Sequence, residues 1–449
     1  MAHHTANGLP PHLLMWQRVR EYAVPPSMIE TATARRAAGD WAGACAAARI
    51  DVDLDLRAVR DRHGTDLVTR LRADLRRLAP DLLRWHMPRI APDGRLRPGL
   101  TVPLARYPAR AGGTAHLVVR TPPARAEAGQ RMSLALWDGT APCIPHPHPR
   151  PDRRFRLDLH RHLWDATRSG ELARRCGDPA DGPWAVTRWA TEAELLLRAE
   201  GRPRGAFTVR LGARSRAVFH LVAPDETHAP TFRPLPGALP PQVVAALPVL
   251  PEAAARVLPD LELLRAGLVT PGRLHPLVAT ALGRSGPAPA GGPVPEHDDP
   301  HRVECRGEVH RIALRDGVLT AVDHAPDQLR REDLLVALGG PPLPCLRAID
   351  AVHRDPEALP AVRERLRHGD VGGALAVVEG LLGPRAVLRD GPLRDELESA
   401  ALRRVEHGLF RSGPAAAPQG HRLRLDRRTP PAVRRKRGTR SRPRTALTD

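Results

Sequence analysis

The sequence predicts an α+β protein, mainly because of the spacing of its apolar residues. They recur at helical spacing in residues 9–90, at every second position in several runs between 95 and 225, and in both patterns between 301 and 410. Groups of strands and groups of helices that follow one another are typical of α+β proteins. A length of 449 residues allows two or three domains.

Residues 1–92 are predicted to form a helical domain. Thr65 is suited to cap a helix whose apolar residues share one face. That face contains Leu67, Val68, Leu71, Leu75 and Leu78. Two shorter helices, 28–38 and 41–49, are expected on either side of a turn at Gly39 and Asp40.

Residues 95–228 are predicted to form a mixed domain with mostly antiparallel strands. The apolar runs 207–211 and 217–222 flank a short polar turn and indicate a β-hairpin. Alternating apolar residues also predict a strand at 155–159. Helices are expected between the strands, at 163–175 and 191–200.

The remaining chain divides by composition. Residues 230–283 are predicted to be a helical segment, and 284–300, rich in Pro and Gly, to be a linker. Residues 301–410 are predicted to form a three-stranded β unit followed by helices, with a hairpin turn at Asp316-Gly317. Residues 411–449 have no apolar period and are predicted to be a disordered basic tail.

Two distant segments resemble each other. Residues 35–46 and 365–376 each contain a Gly-Asp turn followed by small residues at helix-packing spacing. The pattern resembles the turn of a tetratricopeptide-like helical pair. A solenoid needs about three such units in tandem, whereas these two are 330 positions apart. We therefore expect two unrelated helical hairpins that use the same turn chemistry.

The basic residues exclude several enzyme classes. The formal net charge is +19, yet Lys436 is the one lysine in the chain, because nearly all basic residues are Arg. P-loop enzymes, protein kinases and Schiff-base enzymes need a lysine amine. Arg cannot supply it, because the guanidinium does not deprotonate in proteins. The excess of Arg, Ala, Pro and Gly is typical of a high-GC genome, which we expect to be actinobacterial.

The cysteines indicate a reducing compartment. The five are odd in number and widely spaced, so a disulfide framework is not expected and a cytoplasmic location is. The N-terminus lacks the continuous apolar stretch of a signal peptide. The longest uncharged run, 234–251, contains six prolines, so no membrane segment is expected.

One candidate metal site is the histidine pair at 160 and 162. Its order, His160, His162 and Asp165, resembles the metallo-β-lactamase signature H-x-H-x-D-H, but the Asp is one place late and the last His is missing. Two His at i and i+2 share a face only on extended backbone. The alternative is that they form the polar end of strand 155–159, which then runs into a helix.

A second candidate set combines thiols and imidazoles. Cys305, His310, His324 and Cys345 supply four ligands of the types that close a tetrahedral zinc site. On one continuous strand Cys305 and His310 would point to opposite faces, so the set requires a turn between them, for which Gly307 is suited. The alternative is that each Cys is a small buried apolar residue and each His is exposed.

The C-terminal tail is a candidate nucleic-acid contact. Residues 421–449 contain eleven basic and two acidic residues, a net +9 of the total +19. Such a segment can bind phosphates without reading sequence, and it contains no aromatic residue for base stacking. The candidate residues for this or for an acidic partner are Arg434, Arg435, Lys436, Arg437, Arg440, Arg442 and Arg444.

Two observations favour a cytoplasmic interaction or scaffold protein without catalysis and without a cofactor. The chain lacks the lysine that several enzyme classes need and has only an incomplete metallo-β-lactamase signature, and it contains the two helical hairpins. Its partner is then expected to be another protein. Two alternatives stay open: a nucleic-acid-associated protein that uses the basic tail, and a metal-dependent enzyme or zinc-stabilised domain around the His and Cys residues above.

Overall fold

The computed structural model confirms the α+β class. The predicted linker 284–300 and all of the predicted tail beyond Ser412 lie outside the residues that the structure describes. Within the described part, no helix combines the length and apolar character needed to cross a bilayer. The described residues are 9–109, 113–140, 146–177, 182–202, 204–213, 215–222, 229–235, 239–283, 302–305, 307–315, 318–341, 343–354, 358–382, 388 and 390–412.

The helices occur in three groups along the chain. A π-helical turn, Val19–Ala23, follows the first of them directly. The α-helices are α1 (Pro11–Arg18), α2 (Pro26–Ala37), α3 (Trp41–Ala47), α4 (Leu56–His63), α5 (Thr65–Arg77), α6 (Pro80–His86), α7 (Leu172–Arg175), α8 (Trp189–Ala199), α9 (Pro241–Ala246), α10 (Glu252–Ala255), α11 (Pro259–Arg265), α12 (Pro276–Ala281), α13 (Pro326–Ala337), α14 (Pro344–Arg354), α15 (Leu359–Arg367), α16 (Val371–Leu382) and α17 (Pro392–Arg411).

In the part of the chain that the structure describes, the strands form four small sheets, ordered β1-β6-β5-β4, β2-β3, β7-β8-β9 and β10-β11-β12. All neighbouring pairs among them are antiparallel except β1 and β6. The strands are β1 (Ile50–Asp53), β2 (Arg89–Ile90), β3 (Arg95–Leu96), β4 (Thr101–Pro108), β5 (Thr114–Arg120), β6 (Met132–Trp137), β7 (Gly205–Arg210), β8 (Arg216–Val222), β9 (Thr231–Pro234), β10 (Arg302–Cys305), β11 (Glu308–Arg315) and β12 (Val318–Ala321).

The largest hydrophobic core joins residues from several predicted units. It contains Val19 and Leu71 from the N-terminal helices, Leu117 and Leu134 from the four-stranded sheet, and Val278 from α12. A smaller core lies among α14, α15, α16 and α17. The strand pairs of the predicted hairpins 207–222 and 309–322 are both present, as β7-β8 and β11-β12. The predicted turn residues Asp316 and Gly317 lie outside the described residues.

The structure differs from the sequence-based prediction at 155–159, which forms turns and no strand. Side chains satisfy the local backbone groups that a neighbouring strand would otherwise pair with. The indole Nε1 of Trp164 donates to the Leu157 carbonyl at 3.0 Å, and the His160 Nδ1 lies 2.8 Å from the Arg156 carbonyl. The predicted helix at 163–175 is correspondingly reduced to short 3₁₀ turns and α7.

The two Gly-Asp turns have the same internal chemistry. In the first, Gly39 has φ +76°, and the Asp40 carboxylate accepts the Gly43 amide at 2.8 Å, which caps α3. Arg35 donates to the same carboxylate at 3.1 Å. A positive φ favours glycine, and an Asp N-cap satisfies an amide that the helix itself cannot pair.

The second turn repeats this arrangement between α15 and α16. Gly369 has φ +79°, and Asp370 accepts from the Gly373 amide at 3.3 Å and from Arg365 at 2.9 Å. The second turn also makes a contact that the first does not make, because Arg49 donates to Asp370 at 3.0 Å. The shared turn chemistry is confirmed, and the second copy is held against the end of α3.

Candidate metal centre

Three of the four residues in the predicted thiol and imidazole set converge. Cys305 ends β10, His324 follows β12, and Cys345 is in the first turn of α14. The Sγ atoms of the two cysteines are 4.0 Å apart, and Cys345 Sγ is 3.3 Å from His324 Nε2. One ligand atom from each of the three lies within 4.8 Å of the others, and in the described part of the chain no other group of three His, Cys, Asp or Glu does so.

The turn at Gly307 places His310 on the strand beside Cys305. Gly307 has φ +83° and reverses the chain between β10 and β11. In the antiparallel register Cys305 lies opposite Glu308, and Val303 lies opposite His310. Because directly opposed residues share a face, and residues two apart on one strand do so as well, His310 and Cys305 lie on the same face of the sheet.

His310 does not belong to the group of three, but it lies next to it. Its ring stacks on that of His324, with the centroids 4.2 Å apart and the planes inclined by 24°. A second imidazole therefore lies beside the two thiols and the one imidazole that converge, and it is on the strand next to that of Cys305.

The spacing suits a tetrahedral metal ion. Two thiolates at about 2.3 Å from a zinc ion and at the tetrahedral angle are about 3.8 Å apart, close to the 4.0 Å between Cys305 and Cys345. A disulfide requires about 2.05 Å between the sulfurs, so these two thiols are not bonded to each other in this structure. Both cysteines are free.

The surroundings of the three residues are apolar. Cys305 and Cys345 are fully buried and pack with Ala321 and Leu343, while His324 is 8% exposed. Burial, followed by the neighbouring Cys305 thiol, raises the pKa of Cys345 to about 11. A bound cation reverses this effect, because it stabilises the thiolate that coordinates it.

The other predicted metal set does not converge. The Asp165 carboxylate accepts hydrogen bonds from the Thr167 hydroxyl and from Arg161. His160 Nε2 instead faces the Glu192 carboxylate at 3.2 Å, and the ring of His162 meets that of His160 edge-on. Sequence reasoning missed Glu192, which lies on a helix far along the chain and carries no local signal that it would hold a histidine.

Glu192 is a centre of buried charge. It accepts two hydrogen bonds from Arg175, at 2.5 and 2.8 Å, and lies 3.5 Å from Arg188. Burial alone raises a carboxylic acid pKa, but the contacts with His160 and Arg175 outweigh it and hold the pKa of Glu192 well below its ordinary value. This carboxylate therefore stays ionised and neutralises Arg175 and its neighbours.

The predicted nucleic-acid residues of the tail, 434–444, lie outside the described part of the chain. Within that part, the acidic residues of β1 are already paired with basic residues of α17. Arg411 donates to Asp53 at 2.5 and 2.8 Å, and His407 Nε2 is 3.5 Å from Asp51. These contacts hold α17 against β1.

Comparison with protein-family models, curated proteins and solved structures finds no match for this chain.

Proposed function

We propose that this protein is a zinc-binding protein in which Cys305, Cys345 and His324 hold one ion that stabilises the C-terminal unit. The observation that carries the proposal is the convergence of the three ligand atoms within 4.8 Å. Thiolate and imidazole ligands in a tetrahedral set favour zinc over the hard cations, which prefer oxygen.

His310 is assigned as the fourth ligand, because its ring already stacks on His324. It also lies on the same face of the sheet as Cys305. Four protein ligands close a zinc site and are characteristic of structural ions, whereas catalytic ions keep a position for water. Burial of both cysteines in an apolar cluster supports the structural role.

The local core explains why an ion is needed there. Among the residues whose side chains the structure describes, the cluster around the two cysteines contains four buried residues, Cys305, Ala321, Leu343 and Cys345. Apolar burial by these four supplies little stabilisation, and small units of this kind commonly depend on a structural metal. One ion would join β10, the segment after β12 and the start of α14, which are separated by up to 40 residues.

The test is metal analysis of the full chain purified under reducing conditions. We expect one zinc per chain, lost in Cys305→Ala and retained in Cys45→Ala, which removes a thiol that is equally buried but lies in the main core. Replacement of zinc by cobalt should give the thiolate-to-cobalt absorption of a tetrahedral site. His310→Ala should weaken zinc binding about tenfold or more if this residue is a ligand.

Absence of zinc from the purified protein, together with failure of the reduced chain to take up zinc or cobalt, would overturn the proposal. The number of free thiols in the protein is a second, independent test of the zinc site. Three free thiols instead of five in metal-free protein prepared without reductant, together with four free thiols in Cys305→Ala, would show that Cys305 and Cys345 form a redox-sensitive pair and would equally reject the zinc site.

A second function, interaction with another protein, is favoured by one face of α17. Leu402, Val405 and Leu409 are 67%, 59% and 67% exposed. Their i, i+3, i+7 spacing is that of a helix-pairing seam. The chain has a net charge of +19, so we propose that the partner presents an amphipathic helix with an acidic polar face.

A designed amphipathic peptide with Glu on its polar face serves as the probe, and the same peptide with Lys as its control. We expect the acidic peptide alone to bind, and Leu402→Asp combined with Leu409→Asp to abolish binding. Leu338→Asp, a change at another strongly exposed leucine, should have no effect. Equal binding of both peptides, or dimers of the chain that depend on Leu402, would reject the proposed partner.

A further inference from the structure

An open groove of about 690 Å³ lies beside β4, and none of the residues that line it belongs to the metal centre. One wall is the segment 97–101, and the other is the segment 147–154. Two hydrogen bonds hold the walls together. The Thr101 hydroxyl donates to the His148 carbonyl at 2.6 Å, and the Thr101 carbonyl accepts from the Asp152 amide at 2.8 Å. The groove is therefore fixed by the backbone around it.

Three arginines line the groove with little negative charge beside them. Arg150 is exposed and Arg97 is half-buried, and no carboxylate among the described residues forms an ion pair with either. Arg154 is 25% exposed, and its Nε is 3.6 Å from the Asp152 Oδ1, which is too far for a hydrogen bond. The Nε atoms of Arg97 and Arg154 are buried, so a ligand would contact the Nη atoms at the ends of these side chains.

Two further arginines lie at the end of the β7-β8 hairpin. Arg210 and Arg216 are directly opposite each other in the antiparallel register, and like charges in such positions repel. The Arg210 guanidinium donates to the carbonyls of Gly212 and Ala213 at 3.1 and 2.8 Å, which fixes it at the turn. Within the described part of the chain, neither arginine has a carboxylate at salt-bridge distance.

The segment between α9 and α10 connects this hairpin to the groove. It runs parallel to β7 through a bridge between Val249 and Thr208. At its end the Glu252 amide donates to the Arg154 carbonyl at 2.9 Å. Because Arg210 follows Thr208 by two residues, it lies beside the part of this segment that contacts Arg154.

The five positive charges act on one another. Burial, followed by repulsion from Arg154 and Arg216, lowers the pKa of Arg210. Glu252 opposes this effect, and Arg97 adds to it. Arginine nevertheless stays protonated in proteins. Five arginines with two neighbouring carboxylates, those of Asp152 and Glu252, give this surface a net charge of +3.

We propose that the groove and the end of the β7-β8 hairpin bind the phosphate backbone of a nucleic acid. The unpaired arginines are spread over two structural elements, which suits an extended polyanion better than one small anion. Guanidinium groups make charge-assisted, often bidentate, hydrogen bonds to phosphate. The residues that line the groove include no Phe, Tyr or Trp for stacking on bases, so we expect binding that depends little on base sequence. This surface is separate from the basic tail.

The test is binding of a fluorescent 20-base-pair DNA duplex to the full chain at a series of NaCl concentrations. The binding constant should fall with salt, with a logarithmic slope of about 0.9 for each phosphate contact. Arg150→Gln combined with Arg216→Gln changes two exposed side chains. It should weaken binding about tenfold, alike for duplexes of different sequence, and reduce the slope by about two.

A matched control removes two arginines that do not line the groove. Arg72 is exposed on α5, and Arg198 is 66% exposed on α8. Arg72→Gln combined with Arg198→Gln removes the same charge and should leave the Kd and the slope within twofold of the native values. An equal loss of affinity in this control would overturn the proposal, because net charge alone would then explain binding.

A further full-length variant separates the groove from the basic tail. With Arg434, Arg435 and Arg437 changed to Gln, the double change at Arg150 and Arg216 should still reduce the slope by about two. If it has no effect in either background, the tail alone binds DNA and the proposed surface is wrong. Polyglutamate or ATP that competes as well as DNA at equal charge concentration would equally reject a nucleic-acid site.

Discussion

Arg20 and Asp260 form a fully buried ion pair in which both carboxylate oxygens are used. Arg20 Nε is 2.9 Å from Oδ1 and Nη2 is 2.7 Å from Oδ2, and the side chains are 2% and 0% exposed. The indole of Trp85 donates to the same Oδ1 at 3.0 Å. The pair joins the π-helical turn near the N-terminus to α11, 240 residues later.

Removal of one partner of this pair should destabilise the protein strongly. Asp260→Ala leaves the Arg20 charge buried without its carboxylate, so we expect the free energy of unfolding to fall by about 3–5 kcal/mol. Glu194→Ala breaks the pair with Arg198, which is 66% exposed, and should change it by about 1 kcal/mol or less. Urea unfolding measures both. Similar effects of the two changes would contradict the assigned role.

Adjacent glycines in α16 should respond oppositely to alanine. A Cβ at Gly373 would lie 2.1 Å from the Asp370 carboxylate, whereas a Cβ at Gly372 meets nothing within 4 Å. Gly373→Ala should therefore break the Asp370 cap and destabilise the protein by about 1 kcal/mol. Gly372→Ala should stabilise it by about 0.5–1 kcal/mol, because alanine favours the helix. Chemical denaturation of both variants measures these changes in the free energy of unfolding. If both variants are less stable than the native protein, loss of the Asp370 cap does not explain the effect at Gly373.

The charge cluster at Glu192 should make stability depend on pH in the acid range. Its folded pKa is lowered by His160 and Arg175 despite burial, so its contribution is complete above the unfolded value of about 4.3 and is lost as the pH falls below it. Glu192→Gln should lower the free energy of unfolding at pH 7 and flatten its decline toward pH 2.

Unfolding of this variant in urea at a series of pH values measures the slope directly. Thr191→Ala, an exposed and uncharged neighbour on the same helix, controls for damage to α8. If the acid slope of Glu192→Gln equals that of the native protein, Glu192 does not carry this pH dependence.

Tyr107 should make the protein sensitive to alkaline pH. Its hydroxyl donates to Asp74 at 2.8 Å, and burial, followed by the Asp74 charge, raises its pKa well above the ordinary value. The unfolded chain loses this proton above about pH 10 while the folded chain retains it, so stability declines as the pH rises past 10.

Absorbance of phenolate follows this titration, because the chain has two tyrosines, Tyr22 and Tyr107. In Tyr22→Phe the remaining signal should appear only together with unfolding. Tyr107→Phe should lower stability at pH 7 by about 1–3 kcal/mol, since Asp74 loses a buried donor, and should weaken the alkaline decline. A phenolate signal from Tyr107 in the folded protein near pH 10 would contradict this.

Features that depend on local spacing were predictable from the sequence. The strand pairs in 207–222 and 309–322 follow from apolar runs beside short turns, and both Gly-Asp turns depend on contacts between residues three and five positions apart. The thiol and imidazole set required one condition, a turn at Gly307, and the structure contains that turn.

Features that depend on pairing between distant segments were not predictable. Asp51 and Asp53 lie within residues 1–92, which are predicted to be helical, yet they are in β1, which pairs in parallel with β6 about 80 residues later. The turns at 155–163 resemble a strand in their apolar alternation, and only side-chain contacts from Trp164 and His160 reveal otherwise.

The attachment of the C-terminal helices has a consequence for proteolysis. Three contacts join the C-terminal helices to residues before 283. Arg49 donates to the Asp370 carboxylate, His407 Nδ1 lies 3.1 Å from the Ala126 carbonyl, and Arg411 donates to Asp53. A cut between residues 283 and 302 would therefore yield two polypeptides that co-elute as one particle, and high salt would be needed to separate them.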